Sequence, residues 1–376
     1  MNIGFEAKRF FTNYTGLGNY SRFVVDALSL HASENRYYLF TPRSALNSEV
    51  SAILGRDNVS VVEPRGVYQL APSIWRTWGV SLTQQARSID IFHGLSQELP
   101  FNLSSQVKKI VTVHDLIFYR YPQFYHSADV AIYKAKVKSA CQRATKIIAV
   151  SKQTAQDITT FLQVDPSKIE VVYQGCHPNF KRAVTSQEVD EVRKKYGLPH
   201  NFILNVGTIE ERKNLLLLIE AFALLPKEAR VPLVVVGRPT EYFQQVVSAA
   251  RERRVLNEII FLKQASFVDF PALYRGATVF VYPSLFEGFG IPLVEAIESN
   301  VPVITSTGSC FAEAAGPLAR YVDPSDASAL ASELQLVLSD KTLREKMVRE
   351  SKNHVQKFEP EKIATALNAV YQRLNG

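Results

Sequence analysis

Short apolar runs alternate with longer amphipathic segments along almost the whole chain. Runs of four or five apolar, often β-branched residues predict buried strands, and apolar positions at helical spacing predict helices. Strands are predicted at residues 59–62, 110–113, 146–150 and 169–172 in the first half, and at 202–206, 233–236, 259–262, 279–282 and 301–305 in the second. Helices are predicted at residues 19–30, 128–144, 152–161, 214–225, 241–254, 292–299 and 327–338.

This alternation is typical of an α/β fold built from βαβ units, with mainly parallel sheets and helices on both faces. The 376 residues predict two doubly wound domains, each with a sheet of about five or six strands. A polar segment over 180–200 marks the boundary, with one domain over 1–180 and the second over 181–358. The final segment, 359–376, has helical character, and we expect it to pack back on the N-terminal domain.

Composition narrows the class of function. The chain is 46% hydrophobic and 21% charged, as soluble globular proteins are, and its net charge of +7 favours anionic ligands. No dense Lys/Arg block predicts nucleic-acid binding. The three cysteines are widely spaced with no CxxC pair, which disfavours a disulfide framework or a zinc site and fits a reducing cytoplasm. Without a signal-peptide pattern or a long apolar run, we expect a cytoplasmic protein that touches a membrane only from that side.

Ligands of doubly wound domains bind beyond the carboxyl ends of the strands, and two such domains facing each other would enclose a cleft. The segment after the strand at 279–282 contains Glu287, Gly288 and Gly290, and it leads into a helix that carries Glu295. The glycines allow close backbone approach, and the helix start offers N–H groups to an anion. A carboxylate in the first turn can accept hydrogen bonds from ligand hydroxyls such as those of a ribose.

A second basic segment follows the strand at 202–206. Gly207 ends this strand, and Arg212 and Lys213 stand just before the next helix. Two cations at the carboxyl end of a strand can neutralise a diphosphate leaving group. The sequence therefore predicts an anion site built by two post-strand segments of the second domain.

These residues carry a resemblance to a known family. Glu287 and Glu295 form an E-x7-E pattern with the intervening Gly-Phe-Gly, and the chain thereby resembles the retaining glycosyltransferases of the GT-B fold, family 4 in particular. The segment at 204–214 is similar to the family's Gly-Arg…Lys motif, although Thr208 stands where an arginine often follows the glycine. The resemblance implies two Rossmann-like domains facing across a cleft, the second holding a nucleotide diphosphate sugar.

The resemblance also implies roles for individual residues. The first acid of the pattern contacts the transferred sugar, the second contacts the ribose, and the cations hold the phosphates. Catalytic roles are expected for His114, Glu287, Arg212 and Lys213. Donor-binding positions are expected at Gly16, Gly18, Gly207, Arg212, Lys213, Lys263, Glu287, Gly288, Phe289, Gly290, Ile291 and Glu295.

Candidates on the acceptor side lie in the first domain. His114 and Asp115 directly follow a strand and are similar to the family's His-Asp-Leu element, in which the histidine approaches the transferred sugar. Further acceptor-side candidates are His93, Tyr119 and Trp75. Two aromatic and basic stretches, 65–78 and 118–138, are expected to form a sugar-stacking or membrane-facing surface.

The implied reaction is hexose transfer from a nucleotide diphosphate sugar, without a cofactor. No Asp-x-Asp motif is present, so we expect no metal ion. GDP-mannose is the expected donor, and a UDP-hexose is the second candidate. The expected acceptor is a glycan or lipid-linked glycan of surface polysaccharide biosynthesis. A nucleotide-sugar epimerase, a phosphorylase and a non-catalytic sugar-binding protein are competing interpretations of the same sequence.

Overall fold

The computed structural model describes residues 1–376 and contains two compact units. The first unit comprises Met1–Gly175 together with Lys357–Gly376, and the second comprises Cys176–Gln356. The second unit thus begins at Cys176 rather than at residue 181. The last helix of the chain belongs to the first unit.

The first unit is built on a parallel sheet of seven strands, one more than the expected upper number. Their spatial order is β3-β2-β1-β4-β5-β6-β7. The strands are β1 (Asn2–Glu6), β2 (Arg36–Phe40), β3 (Val59–Val62), β4 (Ile91–Gly94), β5 (Lys108–Val113), β6 (Lys146–Ala149) and β7 (Ile169–Val171). The strand order reverses between β1 and β4, and this is the switch point of a doubly wound sheet.

The second unit repeats the scheme with a parallel sheet of six strands. Their order is β10-β9-β8-β11-β12-β13, so the switch point lies between β8 and β11. The strands are β8 (Ile203–Val206), β9 (Leu233–Val236), β10 (Ile259–Leu262), β11 (Val279–Tyr282), β12 (Val303–Ser306) and β13 (Arg320–Val322). Strands β8, β9 and β11 are buried along their whole length, as their continuous apolar runs predict.

Helices connect the parallel strands in both units. The first unit contains α1 (Lys8–Thr12), α2 (Gly16–His31), α3 (Ser48–Leu54), α4 (Pro72–Ile74), α5 (Ile117–Arg120), α6 (Ser127–Arg143), α7 (Lys152–Leu162) and the last helix of the chain, α16 (Pro360–Asn375). The second contains α8 (Ser186–Tyr196), α9 (Leu215–Leu224), α10 (Tyr242–Glu252), α11 (Phe270–Gly276), α12 (Ile291–Glu298), α13 (Phe311–Ala315), α14 (Ala327–Ser339) and α15 (Lys341–Val355). The predicted helices lie within about two or three residues of these bounds, as is usual for ends that fray.

The polar segment at 180–200, predicted as the boundary, lies inside the second unit. It contains α8, whose start is closed by a capping box between Thr185 and Glu188. Val189 and Val192 bury one face of this helix against α11, which leaves the other face charged. The polar composition of residues 180–200 indicated a domain boundary, because an amphipathic helix that packs on one side exposes most of its polar residues.

The C-terminal helix α16 packs along α2. Tyr371 is fully buried there, and its hydroxyl lies 2.7 Å from Nδ1 of His93 on β4. Asn368 joins the same contact by accepting a hydrogen bond of 2.9 Å from the Asn35 side chain. Residues 357–376 therefore complete the core of the first unit although they follow the second in sequence.

Candidate functional site

Two segments meet at the switch point of the second sheet. One runs from Gly207 at the end of β8 to Lys213, and the other runs from the end of β11 to Gly290. The backbone N–H of Leu285 donates to the carbonyl of Arg212 at 2.9 Å, so the two segments are joined directly. Strands β8 and β11 are neighbours in the sheet, and this pairing brings residues distant in sequence together.

Glu287 lies at the centre of a buried polar cluster. Its Oε1 lies 2.7 Å from Nη1 of Arg212 and accepts a hydrogen bond of 2.6 Å from Nζ of Lys213. The Tyr282 hydroxyl donates to the same oxygen at 3.0 Å. Nη1 of Arg212 also donates to the carbonyl of Phe286 at 2.8 Å, and Nη2 donates to Glu210 at 2.6 Å. The predicted residues Arg212, Lys213 and Glu287 thus form one group, together with Tyr282 and Glu210, which sequence reasoning missed.

The cluster holds two cations and keeps its central acid ionised. Burial alone would raise the pKa of Glu287, but the charges of Arg212 and Lys213 outweigh it and lower the pKa to about 2. Burial lowers the pKa of Lys213, an effect that Glu287 opposes. Burial also works against the charge of Arg212, yet Glu287 and Glu210 leave its pKa raised. Two positively charged side chains held in fixed positions can stabilise the negative charge that develops on a leaving group.

Backbone contacts hold Glu287 in position. Its N–H donates to Oγ of Ser309 at 3.2 Å, and its carbonyl accepts from the Ser309 hydroxyl at 3.0 Å and from the Cys310 thiol at 3.2 Å. Ser309 has a φ of 48°, an uncommon value for a residue with a side chain. The segment after β12 therefore buttresses the acid, a role that sequence reasoning did not assign to it.

Helix α12 begins directly after the segment that runs from the end of β11 to Gly290. Gly290 precedes it with a φ of 89°, a backbone conformation that favours glycine, and Pro292 occupies its first turn. Phe289 is buried at 2% exposure. Gly288 and Gly290 are buried as well, and Ile291 is the first residue of the helix.

Glu295 lies one turn into α12 and is separate from the Glu287 cluster. The Tyr274 hydroxyl donates to its Oε2 at 2.9 Å. Burial raises the pKa of Glu295 to about 7, and the Tyr274 hydrogen bond opposes that rise only in part. The two acids of the E-x7-E pattern thus have opposite electrostatic surroundings. Tyr274, like Tyr282, was not predicted from the sequence.

Lys263 lies at the carboxyl end of β10, two strands from β8. Its side chain is exposed, and Nζ lies 5.2 Å from the centre of the Phe243 ring. It shares the carboxyl edge of the sheet with the Glu287 cluster but makes no contact with it.

In the first unit, Gly16 and Gly18 lie in the first turn of α2. A Cβ atom at Gly18 would lie 1.7 Å from the carbonyl oxygen of Asn13, so this position excludes any side chain. A Cβ atom at Gly16 would meet nothing within 4 Å. The requirement for glycine at position 18 is therefore a packing requirement of the helix start.

Burial contradicts the predicted acceptor contact of two first-unit residues. His93 has no exposed surface, and its ring nitrogens lie 2.7 Å from the Tyr371 hydroxyl and 2.8 Å from the Thr112 hydroxyl. Trp75 is 1% exposed and belongs to the core of the first unit. Both are structural side chains, and we assign them no contact with an acceptor.

His114 follows β5 and is 7% exposed. Its Nε2 lies 2.8 Å from the Leu95 carbonyl, which can only accept, so Nε2 carries the proton. The Tyr20 ring packs against the imidazole edge-on, with centroids 4.5 Å apart. Burial, aided by the charge of Arg9 and opposed by the Leu95 carbonyl, lowers the pKa of His114 to about 4. The imidazole is therefore neutral near pH 7, with Nδ1 as an acceptor.

The two remaining acceptor-side candidates lie beyond His114. The Asp115 carboxylate accepts the N–H of Ile117 at 3.1 Å and so orients the start of α5. Tyr119 is partly buried and stacks on Phe161 with ring centroids 5.4 Å apart. Nζ of Lys134 lies 4.7 Å from the centre of the Tyr119 ring.

A second ionic cluster at the switch point of the first sheet was not predicted. Glu6 ends β1, is 5% exposed, and pairs with Nε of Arg76 at 2.8 Å. Arg76 also pairs with Glu98, which contacts Nζ of Lys136 at 3.1 Å. Burial raises the pKa of Glu98, but Arg76 and Lys136 lower it on balance. No local pattern signals this cluster, because its members are brought together only by the strand order.

None of the helices combines the length and the apolar character that a membrane span requires.

Comparison with known proteins agrees with this architecture. Residues 24–180 match the family model described as Glycosyltransferase Family 4, and residues 188–354 match Glycosyl transferases group 1. O-antigen chain mannosyltransferase B of Escherichia coli is 28% identical over 291 residues, which are 76% of this chain and 74% of that protein. O-antigen chain mannosyltransferase RfbU of Salmonella typhimurium is 30% identical over 216 residues, 57% of each chain.

Solved structures share the fold. HepE of Anabaena, in complex with UDP and glucose, aligns over 99% of this chain and 100% of its own, with a TM-score of 0.74 at 16% identity. Both sheets of this chain have the Rossmann-like parallel topology, and the architecture is GT-B. The chain therefore belongs to the glycosyltransferases, with a family 4 domain followed by a group 1 domain.

Proposed function

We propose that this glycosyltransferase transfers mannose from GDP-mannose to a glycan or lipid-linked glycan during the synthesis of a surface polysaccharide. The observation that carries the proposal is the cluster of Arg212, Lys213 and Glu287 at the switch point of the second unit. The O-antigen mannosyltransferases matched by sequence support mannose and the polysaccharide acceptor. The fold similarity to HepE with UDP and glucose supports a UDP-hexose as the second candidate donor.

The diphosphate of the donor is the proposed partner of Arg212 and Lys213. The bond from the anomeric carbon to the diphosphate oxygen breaks, and its electron pair leaves with the diphosphate. The acceptor hydroxyl oxygen bonds to the same face of the carbon, and its proton passes to the departing phosphate oxygen. The configuration is thereby retained. Because the two side chains and the N–H groups at the start of α12 carry the compensating charge, we propose that no metal ion is needed.

Glu287 is proposed to orient the transferred sugar as a permanently ionised acceptor of hydrogen bonds. Its pKa of about 2 leaves no proton to donate near neutral pH, so it does not act as a general acid. Glu287 is not assigned as a covalent nucleophile, because the same-face displacement described above forms no bond to the enzyme. The Arg212, Lys213 and Tyr282 side chains hold its Oε1 in place. Positioning through fixed hydrogen bonds is the role that these contacts support.

Glu295 is proposed to accept hydrogen bonds from the ribose hydroxyls of the donor. Glu295 lies about one helical turn beyond Gly290 along α12, and this turn separates it from the proposed diphosphate position at the helix start. With a pKa of about 7 it is only partly ionised in the absence of the donor. Hydrogen bonds from ribose would stabilise the carboxylate, so we propose that donor binding completes its ionisation.

The first unit is proposed to hold the acceptor near the ends of β1, β4 and β5. His114, neutral and with Nδ1 as an acceptor, can receive a hydrogen bond from a sugar hydroxyl. The carboxylates of Glu6 and Glu98 can do the same where Arg76 does not occupy them. His114 is not proposed to act as a cation, because its lowered pKa keeps the imidazole uncharged near neutral pH.

We also propose that the first unit contacts an anionic membrane surface from the cytoplasm. The segment 66–82 exposes several large apolar side chains, with Leu70 at 90% and Val67 at 78%. Trp78 extends this surface by stacking on Phe101, with centroids 5.2 Å apart, and Arg143 lies over Phe101 at 4.4 Å. Exposed apolar groups edged by a cation are suited to a membrane interface. The three unpaired cysteines support a reducing compartment.

A calorimetric screen of GDP, UDP, ADP and their sugars tests the donor. We expect GDP and GDP-mannose to bind and to raise the melting temperature by mass action. Turnover is then followed with the bound donor and a panel of lipid-linked glycans, and the anomeric product is read by NMR. Binding of ADP alone, or conversion of the donor without an acceptor, would contradict the proposal.

A further inference from the structure

A basic pocket lies at the opposite edge of the second sheet from the Glu287 cluster. Asn201, Thr278 and Pro302 line it, and they lie one or two residues before β8, β11 and β12. The Glu287 cluster instead follows the ends of β8 and β11. Because a strand of four residues spans roughly 13 Å, the pocket is separate from the candidate donor site.

The pocket is strongly positive. Its volume is about 500 Å³, and one carboxylate, that of Glu345, faces five cations. The cations are Arg193, Arg275, Lys341, Arg344 and Arg349. Lys341, Arg344, Glu345 and Arg349 all lie on α15, at spacings that place them on one face of that helix. Such a concentration of charge in a concavity attracts anions of high charge density.

Two of the cations are fixed in place by carbonyl groups. Nη1 of Arg344 donates to the carbonyls of Val337 and Leu338, both at 2.7 Å, at the end of α14. Nη2 of Arg193 donates to the carbonyl of His200 at 2.7 Å. These contacts complement the negative end of a helix and of a turn, and they account for these two arginines structurally. They also orient the guanidinium groups before any ligand arrives.

The other cations have no comparable structural task. Arg275 is exposed and has no hydrogen bond or ion pair. Lys341 is 3.8 Å from Glu345, and Arg349 is 3.8 Å from Glu350, in pairs whose members are largely exposed. Such pairs are worth little and leave the charges available. Asp190 also pairs with Arg193 at 3.1 Å, so three of the five cations have a carboxylate neighbour and Arg275 and Arg344 have none. The excess positive charge costs free energy unless an anion compensates it.

We propose that this basic pocket binds the phosphate groups of a phosphorylated ligand, at a site distinct from the donor site. Planar guanidinium groups bind phosphate oxygens with paired hydrogen bonds, and Arg275 and Arg349 supply such groups without giving up a buried contact. Thr278 and Asn201 add neutral polar groups at the strand starts. The ligand class is a phosphomonoester or diphosphate, either on a free small molecule or on a lipid headgroup.

Calorimetry with inorganic pyrophosphate tests the pocket in the full chain, where the pocket and the donor site are expected to behave as two independent classes of binding site. We expect Arg275→Ala/Arg349→Ala to lose about tenfold or more in affinity at one class and to keep the other, since each charge-assisted contact removed is substantial. The matched control is Arg251→Ala/Lys346→Ala, which removes the same charge from exposed positions of the same unit outside the pocket. The KM for the donor should be equal in all three chains.

The source of the phosphate is distinguished by sedimentation with vesicles. Vesicles that contain phosphatidylglycerol are compared with vesicles of phosphatidylcholine alone. Binding to the former that falls in Arg275→Ala/Arg349→Ala but not in the control assigns the pocket to a lipid headgroup. Pyrophosphate binding without this difference assigns it to a soluble ligand. Absence of both, or equal losses in the pocket variant and the control, would overturn the proposal.

Discussion

Replacing Glu287 with glutamine should destabilise the second unit far more than replacing an exposed acid. The substitution removes one negative charge and leaves Arg212 and Lys213 buried beside each other. The pKa of Glu287 is lowered from 4.5 to about 2, which corresponds to roughly 3 kcal/mol of stabilisation near neutral pH. Removal of one partner from a buried pair costs about 3–5 kcal/mol in general, which agrees with this value.

The expected shift is measurable by scanning calorimetry. For a unit of this size, 1 kcal/mol corresponds to about 2–4 °C, so the transition of the second unit should fall by roughly 6–12 °C in Glu287→Gln. The control is Glu333→Gln, which breaks a more exposed pair with Arg320 at 2.6 Å. A pair of this kind contributes about 1 kcal/mol or less.

Two further measurements separate charge from packing. Because the folded pKa of Glu287 lies below the unfolded value, its contribution is present above pH 4.5 and is lost as the pH falls toward 2. The difference between wild type and Glu287→Gln should shrink over that range. Pyrophosphate should stabilise Glu287→Gln more than wild type, because the anion replaces the missing carboxylate. A shift no larger than that of Glu333→Gln, together with equal pyrophosphate effects in both chains, would refute the reasoning.

The remaining predictions concern the reaction and the membrane. Lys213→Ala should lower kcat about 100-fold or more with little change in acceptor KM, since it removes a charge that stabilises the leaving group; an unchanged kcat would contradict this. Affinity for the nucleotide diphosphate sugar, whose diphosphate carries no proton that titrates near pH 7, should rise with pH through about 7 as Glu295 ionises and should be flat in Glu295→Gln, whereas parallel titrations of the two chains would exclude the ribose contact. Turnover should continue unchanged in EDTA, and a loss restored by Mg²⁺ would show that a metal is required. Leu70→Ser/Trp78→Ser should lower sedimentation with anionic vesicles while activity on a soluble acceptor is kept, and equal sedimentation would remove the proposed membrane surface.

Much of the fold follows from local patterns in the sequence. The runs at Val59–Val62, Leu233–Val236 and Val279–Tyr282 are strands with the predicted bounds, because runs of four residues rich in β-branched and aromatic side chains are short for a helix and favour a buried strand. The polar helix Ser186–Tyr196 was placed at a boundary, because a sequence does not show which single face will be covered. The apolar pattern also predicted about five or six strands for the first sheet, which has seven.

The candidate site was likewise predicted only in part from the sequence. Glu287, Arg212 and Lys213 were each predicted from glycine-rich or basic segments that follow strands, since parallel strands present their carboxyl ends at one edge. The sequence predicts that the two segments build one anion site, but the direct side-chain contacts depend on the tertiary structure, because the neighbouring strands β8 and β11 bridge the 74 positions of sequence between Lys213 and Glu287. The opposite pKa shifts of Glu287 and Glu295 likewise depend on which side chains pack against each acid.

Burial and long-range pairing account for the other differences. His93 lies near the carboxyl end of β4 and His114 directly follows β5, yet the C-terminal helix covers His93 through Tyr371, which is 278 positions away. Glu6 and Arg76 are 70 positions apart and form an ion pair that no local pattern announces. The sequence by itself determined the elements and the residue types at the strand ends, because periodicity and turn chemistry are local. The tertiary structure decided which of those residues meet, which are covered and which stay charged, because strand order and packing are set by the whole chain.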